Sequence, residues 1–144
     1  MRAYLDASVL VPLLRTEPRS QDARRFLSDS SNELVLSEFG RGEVAAAMAQ
    51  LVRMGELDEV AAHRLLAGLD TWLAATVDLV ATTEPEIRHA AQLVRRFELQ
   101  LRMPDAIHLA SCLALRARLA TFDRGMATAA VALGIEFVKL APKA

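Results

Sequence analysis

Short apolar runs alternate with longer amphipathic segments along this chain. The short runs predict strands at residues 2–5, 34–36, 78–81, 119–122 and 135–140. Apolar residues at helical spacing predict helices at residues 8–14, 18 or 20 to 27, 38–54, 58–73, 84–97, 104–118 and 124–133. Because strands that alternate with helices pair through crossover connections, this pattern predicts an α/β fold with a mostly parallel sheet.

Several residues mark the predicted helix ends. Ser8 and Ser37 are predicted N-caps, because a hydroxyl can accept a hydrogen bond from an early backbone N–H. Pro104 suits the first turn of its helix, where a missing N–H costs nothing. Gly40 and Gly42 are unexpected, since other residues favour helix more strongly, and they leave the start of the third helix undefined.

Length and composition indicate a globular protein. The chain has 144 residues, which suits a single domain over residues 1–144, and 53% of them are hydrophobic. Its longest charge-free stretch, residues 125–135, is shorter than the ~20 residues that span a bilayer. A single cysteine, Cys112, excludes an intramolecular disulfide framework and suits a buried position in a reducing compartment. We expect a soluble, cytoplasmic protein with no membrane partner.

The charge balance does not indicate nucleic-acid binding by the surface as a whole. The net charge is −1, so any contact with a polyanion must be local. Of the 17 basic residues only Lys139 and Lys143 are lysines, and the rest are arginines. Arginine suits bidentate contact with phosphate, although many arginines simply solvate helix faces.

Four acidic residues stand where a predicted strand ends or an apolar helical stripe begins. Asp6 and Asp123 follow strands, and Glu43 and Asp105 lie near helix starts. Each alone could be a turn residue, a helix cap or a complement to the helix dipole. Together they predict one acidic pocket, because functional groups gather at the carboxyl ends of parallel strands. A carboxylate beside buried surface is unfavourable unless a positive group, most simply a metal ion, balances it.

Other candidate groups fit less well. Glu38 lies five residues before Glu43 and diverges from it on a helix, so we favour Glu43. His108 forms a D-x-x-H pair with Asp105 that is able to bind metal, but a lone helical histidine is more often a packing or interface residue. The sequence has no zinc cluster, phosphate-binding glycine loop or G-x-S-x-G motif.

Four segments resemble the PIN-domain ribonucleases, and among them most closely the VapC toxins of bacterial and archaeal toxin–antitoxin pairs. The segments are YLDASVL at 4–10, SEFGRGE at 37–43, PDAIHLA at 104–110 and LATFD at 119–123. The resemblance covers essentially the whole chain. It implies a three-layer α/β/α sandwich with a central five-stranded sheet, RNA cleavage, dependence on Mg²⁺ or Mn²⁺, homodimers and inhibition by a cognate antitoxin.

The resemblance also assigns roles to individual residues. It implies an acidic quartet that binds metal and catalyses cleavage, formed by Asp6, Glu43, Asp105 and Asp123. Ser8 and Thr121 match supporting hydroxyl positions. Our hypothesis is that the three aspartates hold one ion that activates water, while Glu43 positions that water or a second ion.

Arg102 and Arg124 flank two of these acids and are candidates to bind RNA phosphate; solvation or intramolecular ion pairing is the alternative for each. Two other functions remain open. One is a phosphoaspartate, Mg²⁺-dependent phosphohydrolase or receiver-like protein, although Asp6-Ala7-Ser8 lacks the second aspartate of a D-x-D motif. The other is a noncatalytic PIN-like module that only binds a partner.

Overall fold

Five parallel strands form the central sheet of the protein. A computed structural model describes residues 2–140. The strands are β1 (Arg2–Leu5), β2 (Glu33–Ser37), β3 (Asp78–Val80), β4 (Arg118–Ala120) and β5 (Phe137–Val138). Their order is β3-β2-β1-β4-β5, and every neighbouring pair is parallel. β1 is therefore the central strand, with Tyr4 opposite both Val35 and Leu119.

Helices connect successive strands, as the sequence pattern predicts. Over the described residues these are α1 (Ala7–Leu14), α2 (Ser20–Ser28), α3 (Glu38–Arg53), α4 (Glu59–Thr76), α5 (Glu84–Val94), α6 (Met103–Leu115) and α7 (Arg124–Ala132), with a 3₁₀ turn at Phe97–Leu99. None of the helices within residues 2–140 combines the length and apolar character needed to cross a membrane.

The helices cover both faces of the sheet. Successive strand residues point to opposite faces, so Ala3 and Leu5 lie in one apolar core and Tyr4 lies in the other. The first core is completed by residues of α1 to α4, including Val9, Leu10, Leu27, Val44, Leu69 and Leu73. The second is completed by residues of α5 to α7, including Ala90, Leu93, Leu109, Met126 and Ala130. The predicted three-layer α/β/α sandwich is confirmed.

The boundary between α6 and β4 differs from the prediction. The helix ends at Leu115, because Arg116 adopts a left-handed conformation with φ 52°. Arg118 consequently starts β4 instead of ending the helix. β4 also stops at Ala120, before Thr121 and Phe122, because the Phe122 N–H donates to a Ser8 hydroxyl rather than to a neighbouring strand.

Two other predicted elements are shorter in the structure by more than one residue. The helix predicted at 84–97 ends at Val94 and is followed by a separate 3₁₀ turn. The strand predicted at 135–140 comprises only Phe137–Val138. Its first predicted residue, Ile135, closes α7 instead, since its N–H donates to the Ala130 carbonyl at 2.8 Å after Gly134 turns the chain with φ 76°.

One of the two predicted serine caps is confirmed. Ser37 caps α3, where its Oγ accepts from the Gly40 N–H at 3.0 Å. Ser8 does not cap α1, because that helix begins at Ala7, directly after the extended residue Asp6. The Asp6 carboxylate is the cap and accepts from the Ser8 N–H at 3.1 Å.

Close packing explains Gly40 but not Gly42. A Cβ atom on Gly40 would lie 2.9 Å from Leu36 Cδ1 and 3.5 Å from His108 Cε1, so α3 approaches the sheet and α6 closely at this point. A Cβ on Gly42 would meet nothing within 4 Å. The first glycine therefore permits the approach of α3, whereas nothing in the structure requires the second.

The two glycines provide a matched test of this packing. We expect Gly42→Ala to raise the free energy of unfolding by about 0.5–1 kcal/mol, through helix propensity alone. Gly40→Ala should instead lower the free energy of unfolding by about 1 kcal/mol or more, because the added methyl overpacks a buried contact. Urea titration followed by circular dichroism measures both values; equal stabilisation by the two alanines would contradict the close approach.

Candidate active site

The carboxyl ends of β1 and β4 lie side by side and place the first candidate residues. Asp6 directly follows β1, and its N–H donates to the Ala120 carbonyl at 3.2 Å. Thr121 and Asp123 follow the end of β4. Because the two strands are parallel neighbours, these side chains emerge at the same edge of the sheet.

Two hydroxyls hold the Asp6 carboxylate between the strand ends. Oδ1 accepts from Ser8 Oγ at 2.5 Å, and Oδ2 accepts from Thr121 Oγ1 at 2.9 Å. Each hydroxyl also accepts from the backbone beyond β4, Ser8 from the Phe122 N–H and Thr121 from the Asp123 N–H, both at 2.9 Å. The structure therefore places both predicted supporting hydroxyls in direct contact with Asp6.

Asp6 is a buried carboxylate without a cationic partner among residues 2–140. It is 4% exposed, and none of the ion pairs in this part of the chain includes it. Burial raises the pKa of Asp6, and the hydrogen bonds from Ser8 and Thr121 oppose that rise. The hydroxyls thus compensate only in part for lost solvation, and a nearby cation would stabilise the ionised form.

Asp123 caps helix α7 and also belongs to the candidate site. It is the N-cap of α7, and its Oδ1 accepts from the Met126 N–H at 3.0 Å. In the described part of the chain, its second oxygen accepts no hydrogen bond. One oxygen can therefore cap the helix while the other is available to a ligand.

Glu43 and His108 join α3 to α6 at the same edge. Glu43 Oε1 is hydrogen-bonded to His108 Nε2, and the Glu43 side chain is 30% exposed whereas that of His108 is 1% exposed. The other ring nitrogen, Nδ1, lies 2.7 Å from the Tyr4 hydroxyl.

Asp105 lies in the first turn of α6, one helical turn before His108. Its side chain is 17% exposed, and Oδ2 is 3.7 Å from Arg102 Nε. Arg102 is itself highly exposed, so this ion pair is weak. Arg124 is exposed at the first position of α7, immediately after Asp123.

The four acids are not arranged as a closed metal site in this conformation. Among the residues that the structure describes, no group of three or more His, Cys, Asp or Glu side chains is placed to hold a metal ion. In the structure Glu43 bonds to His108, Asp123 caps α7 through one oxygen and Asp105 faces Arg102. The donor chemistry nevertheless fits Mg²⁺ or Mn²⁺, since every predicted ligand offers carboxylate oxygen.

Sequence reasoning missed the pairing of His108 with Glu43 and the contribution of Tyr4. The sequence offered a weak signal for the contribution of Tyr4. Tyr4 lies between apolar residues of a predicted buried strand, and a buried phenol requires a hydrogen-bond partner. The identity of that partner depends on how α6 packs against β1, which spacing along the chain does not reveal.

Comparison with known proteins identifies the family. The PIN domain family model matches residues 3–132. "Ribonuclease VapC45" of Mycobacterium tuberculosis (strain CDC 1551 / Oshkosh) is 38% identical over 136 residues, which cover 91% of this chain and 90% of that protein.

Two solved structures have the same fold. The crystal structure of Mycobacterium tuberculosis VapC20, a toxin that cleaves the sarcin–ricin loop, has a TM-score of 0.73 at 21% identity and covers 95% of this chain and 98% of its own. A toxin–antitoxin complex from Klebsiella pneumoniae has a TM-score of 0.61 at 20% identity, covering 84% and 86%.

These similarities do not favour the phosphoaspartate or the noncatalytic hypothesis. The match to the family model includes all four predicted acids, from Asp6 to Asp123. The chain therefore belongs to the PIN-domain family, and within it to the VapC-type ribonucleases.

Proposed function

We propose that the protein is a divalent-metal-dependent endoribonuclease, the toxin of a toxin–antitoxin pair. Its metal-binding and catalytic residues are Asp6, Glu43, Asp105 and Asp123. The observation that carries the proposal is the Asp6 carboxylate, which is buried, fixed by two hydroxyls and without a basic partner in residues 2–140. A protein does not ordinarily bury such a charge unless a ligand or a proton compensates it.

Each residue has a part that follows from its position. Asp6 is the fixed ligand, because Ser8 and Thr121 hold both of its oxygens. Asp105 and Asp123 contribute carboxylates from the starts of α6 and α7, and Glu43 contributes one from α3. A bound Mg²⁺ or Mn²⁺ supplies positive charge at the scissile phosphate and lowers the pKa of water.

RNA binding requires local positive charge beside these acids. Arg102 and Arg124 are exposed and adjacent to Asp105 and Asp123, so both can reach a phosphate held at the site. Arg102 must exchange its weak contact with Asp105 for phosphate. Cleavage by water leaves 5′-phosphate and 3′-hydroxyl ends and does not use the 2′-hydroxyl of the substrate as nucleophile.

The partner proposal comprises an antitoxin and a second copy of the chain. Similarity in fold to a toxin–antitoxin complex supports an antitoxin partner encoded beside this protein. The homodimer rests on the family resemblance alone. Which RNA is cut depends on the groove that such an assembly forms.

Carboxylate replacement tests the nuclease site. Asp6→Asn and Asp105→Asn should each reduce cleavage of RNA in Mn²⁺ by about 100-fold or more, because each removes a negatively charged ligand of the metal ion that would stabilise the transition state. Glu59→Gln, which changes an exposed acid on α4, is the matched control and should cleave normally. Cleavage of a fluorescent oligonucleotide, with and without chelator, measures all four proteins. A substrate with 2′-deoxyribose at the scissile position should still be cut.

Metal binding gives a readout that does not depend on activity. Mn²⁺ should raise the unfolding midpoint of the wild type, since an ion at 100 times its Kd stabilises the fold by about 2.7 kcal/mol. Asp6→Asn should lose most of this increase. Folded aspartate variants that retain both cleavage and the Mn²⁺ response would exclude the site.

Arginine replacement tests the RNA contact. Arg124→Ala should weaken RNA binding and reduce the slope of log affinity against log salt by about 0.7, the value for one phosphate contact on a single strand. Arg88→Ala, on the exposed face of α5, is the control. Fluorescence anisotropy in a metal-free buffer separates binding from cleavage, and equal slopes for both variants would remove Arg124 from the interface. The same measurement on Arg102→Ala decides its role.

Co-purification tests the partners. We expect the small protein encoded beside this chain to co-purify with it and to suppress cleavage. Light scattering of the isolated protein should give twice the mass of one chain. A monomer that cleaves RNA at the full rate would rule out the homodimer, and undiminished cleavage in the presence of the bound neighbour would rule out the antitoxin.

A further inference from the structure

A continuous chain of hydrogen bonds connects the start of α3 with Glu43 through the protein interior. The Gly40 N–H donates to Ser37 Oγ at 3.0 Å, and that oxygen lies 2.8 Å from the Tyr4 hydroxyl. The Tyr4 hydroxyl lies 2.7 Å from His108 Nδ1, and His108 Nε2 bonds to Glu43. Strand β2, strand β1 and helices α3 and α6 each contribute one member or more.

The inner residues of this hydrogen-bond chain are fully buried from solvent. Tyr4 and Ser37 are 0% exposed and His108 is 1% exposed. Aromatic neighbours fix the imidazole further, since the Tyr4 and Phe39 rings lie 5.6 and 5.4 Å from it, centre to centre. Buried polar groups of this kind must satisfy one another, because water does not reach them.

The hydrogen bonds that its members form give this network one direction; the buried Ser111 hydroxyl beside Tyr4 takes no part, since it forms no hydrogen bond within residues 2–140. Ser37 Oγ already accepts from the Gly40 N–H, so its own proton must be donated. Within residues 2–140 its remaining hydrogen-bond partner is the Tyr4 hydroxyl. Tyr4 then donates its proton to His108 Nδ1. If the hydrogen bonds ran in the opposite direction, the Ser37 proton would have no acceptor among residues 2–140.

The direction determines the tautomer of His108. Since Nδ1 accepts, the ring proton lies on Nε2 and is donated to the Glu43 carboxylate. Glu43 is thereby attached to β1, the same strand that Asp6 follows. Tyr4 and Asp6 are two residues apart on an extended segment and so point to the same face of the sheet.

We propose that Tyr4 and His108 are positioning residues, which orient Glu43 through a directed hydrogen-bond chain rooted in the central strand. Neither residue contacts the substrate in this proposal. The role of Glu43 rests on the proposed nuclease function, whereas the tautomer and the attachment of Glu43 do not. Phenol and imidazole are therefore required at these positions for geometry, beyond filling the core.

Nitrogen NMR tests the chain directly on the full-length, metal-free protein. With ¹⁵N-labelled histidine at pH 7.5, we expect His108 to show a proton on Nε2 and an unprotonated Nδ1. Loss of signals in His108→Gln assigns them, and His63→Gln, at an exposed histidine, should leave them in place. Tyr4→Phe should shift the Nδ1 resonance, because its donor is gone. A proton on Nδ1, or an unchanged Nδ1 in folded Tyr4→Phe, would overturn the proposal.

Kinetics tests the positioning role. Tyr4→Phe should lower kcat by about 10- to 100-fold with KM nearly unchanged, as is typical when an outer partner of a site residue is removed. His108→Gln, whose amide N–H can still donate to Glu43, should retain more activity than His108→Ala. Cys112→Ala is the control for a buried truncation on α6 and should cleave normally. Wild-type kcat in folded Tyr4→Phe would refute the positioning role.

The NMR and kinetic experiments distinguish a failure of the proposed nuclease function from a failure of the positioning proposal. If the wild type cuts no RNA, the proposed function fails, and the NMR result still decides the direction of the chain. If the wild type cuts RNA and His108 carries its proton on Nδ1, only the inference fails. Where Tyr4→Phe does not fold, the comparison of His108→Gln with His108→Ala decides the positioning role.

Discussion

The pairing of β1 with β4 is the contact on which the site depends. It brings the end of β1, where Asp6 lies, next to the segment that carries Thr121 and Asp123. Two hydroxyls then join the strand ends through the Asp6 carboxylate. Because the Thr121 hydroxyl donates to Asp6 and the Phe122 N–H donates to the Ser8 hydroxyl, a shift of one strand against the other would break one hydrogen bond at each hydroxyl. The same contacts therefore stabilise the sheet edge and fix the proposed ligand.

Regular elements, not loops, supply the remaining acids. Helix α6 carries both Asp105 and His108. Packing of this one helix against the sheet therefore places Asp105 and also His108, the hydrogen-bond partner of Glu43. The close approach of α3 at Gly40 brings Glu43 to His108. Groups on packed helices and strands are held more accurately than groups on mobile loops, which suits a site where several carboxylates must converge.

Local patterns predicted the architecture but not the contacts that make the site. Strand and helix periodicities are properties of neighbouring residues, so the parallel sandwich and most elements could be inferred from them. The end of α6 could not, because Arg116 adopts a left-handed conformation without glycine. Ser8 forms hydrogen bonds with Asp6 and with the Phe122 N–H, and Gly40 lies against Leu36 where a side chain would not fit. These are tertiary contacts, which the spacing of residues along the sequence does not encode. The acids themselves were named from sequence because they follow strands or lie near predicted helix starts.

Burial of the Asp6 carboxylate, which the proposed function requires, lowers the stability of the metal-free fold at neutral pH. Burial raises the folded-state pKa of Asp6 above its unfolded value. This group therefore favours the fold most at pH values below its unfolded pKa, and that contribution is lost as pH rises through the folded-state pKa. At neutral pH the ionised carboxylate opposes folding unless a cation stabilises it. The two apolar cores and the hydroxyls of Ser8 and Thr121 must offset this cost in the metal-free protein, a compromise common where a site needs an unfavourable charge.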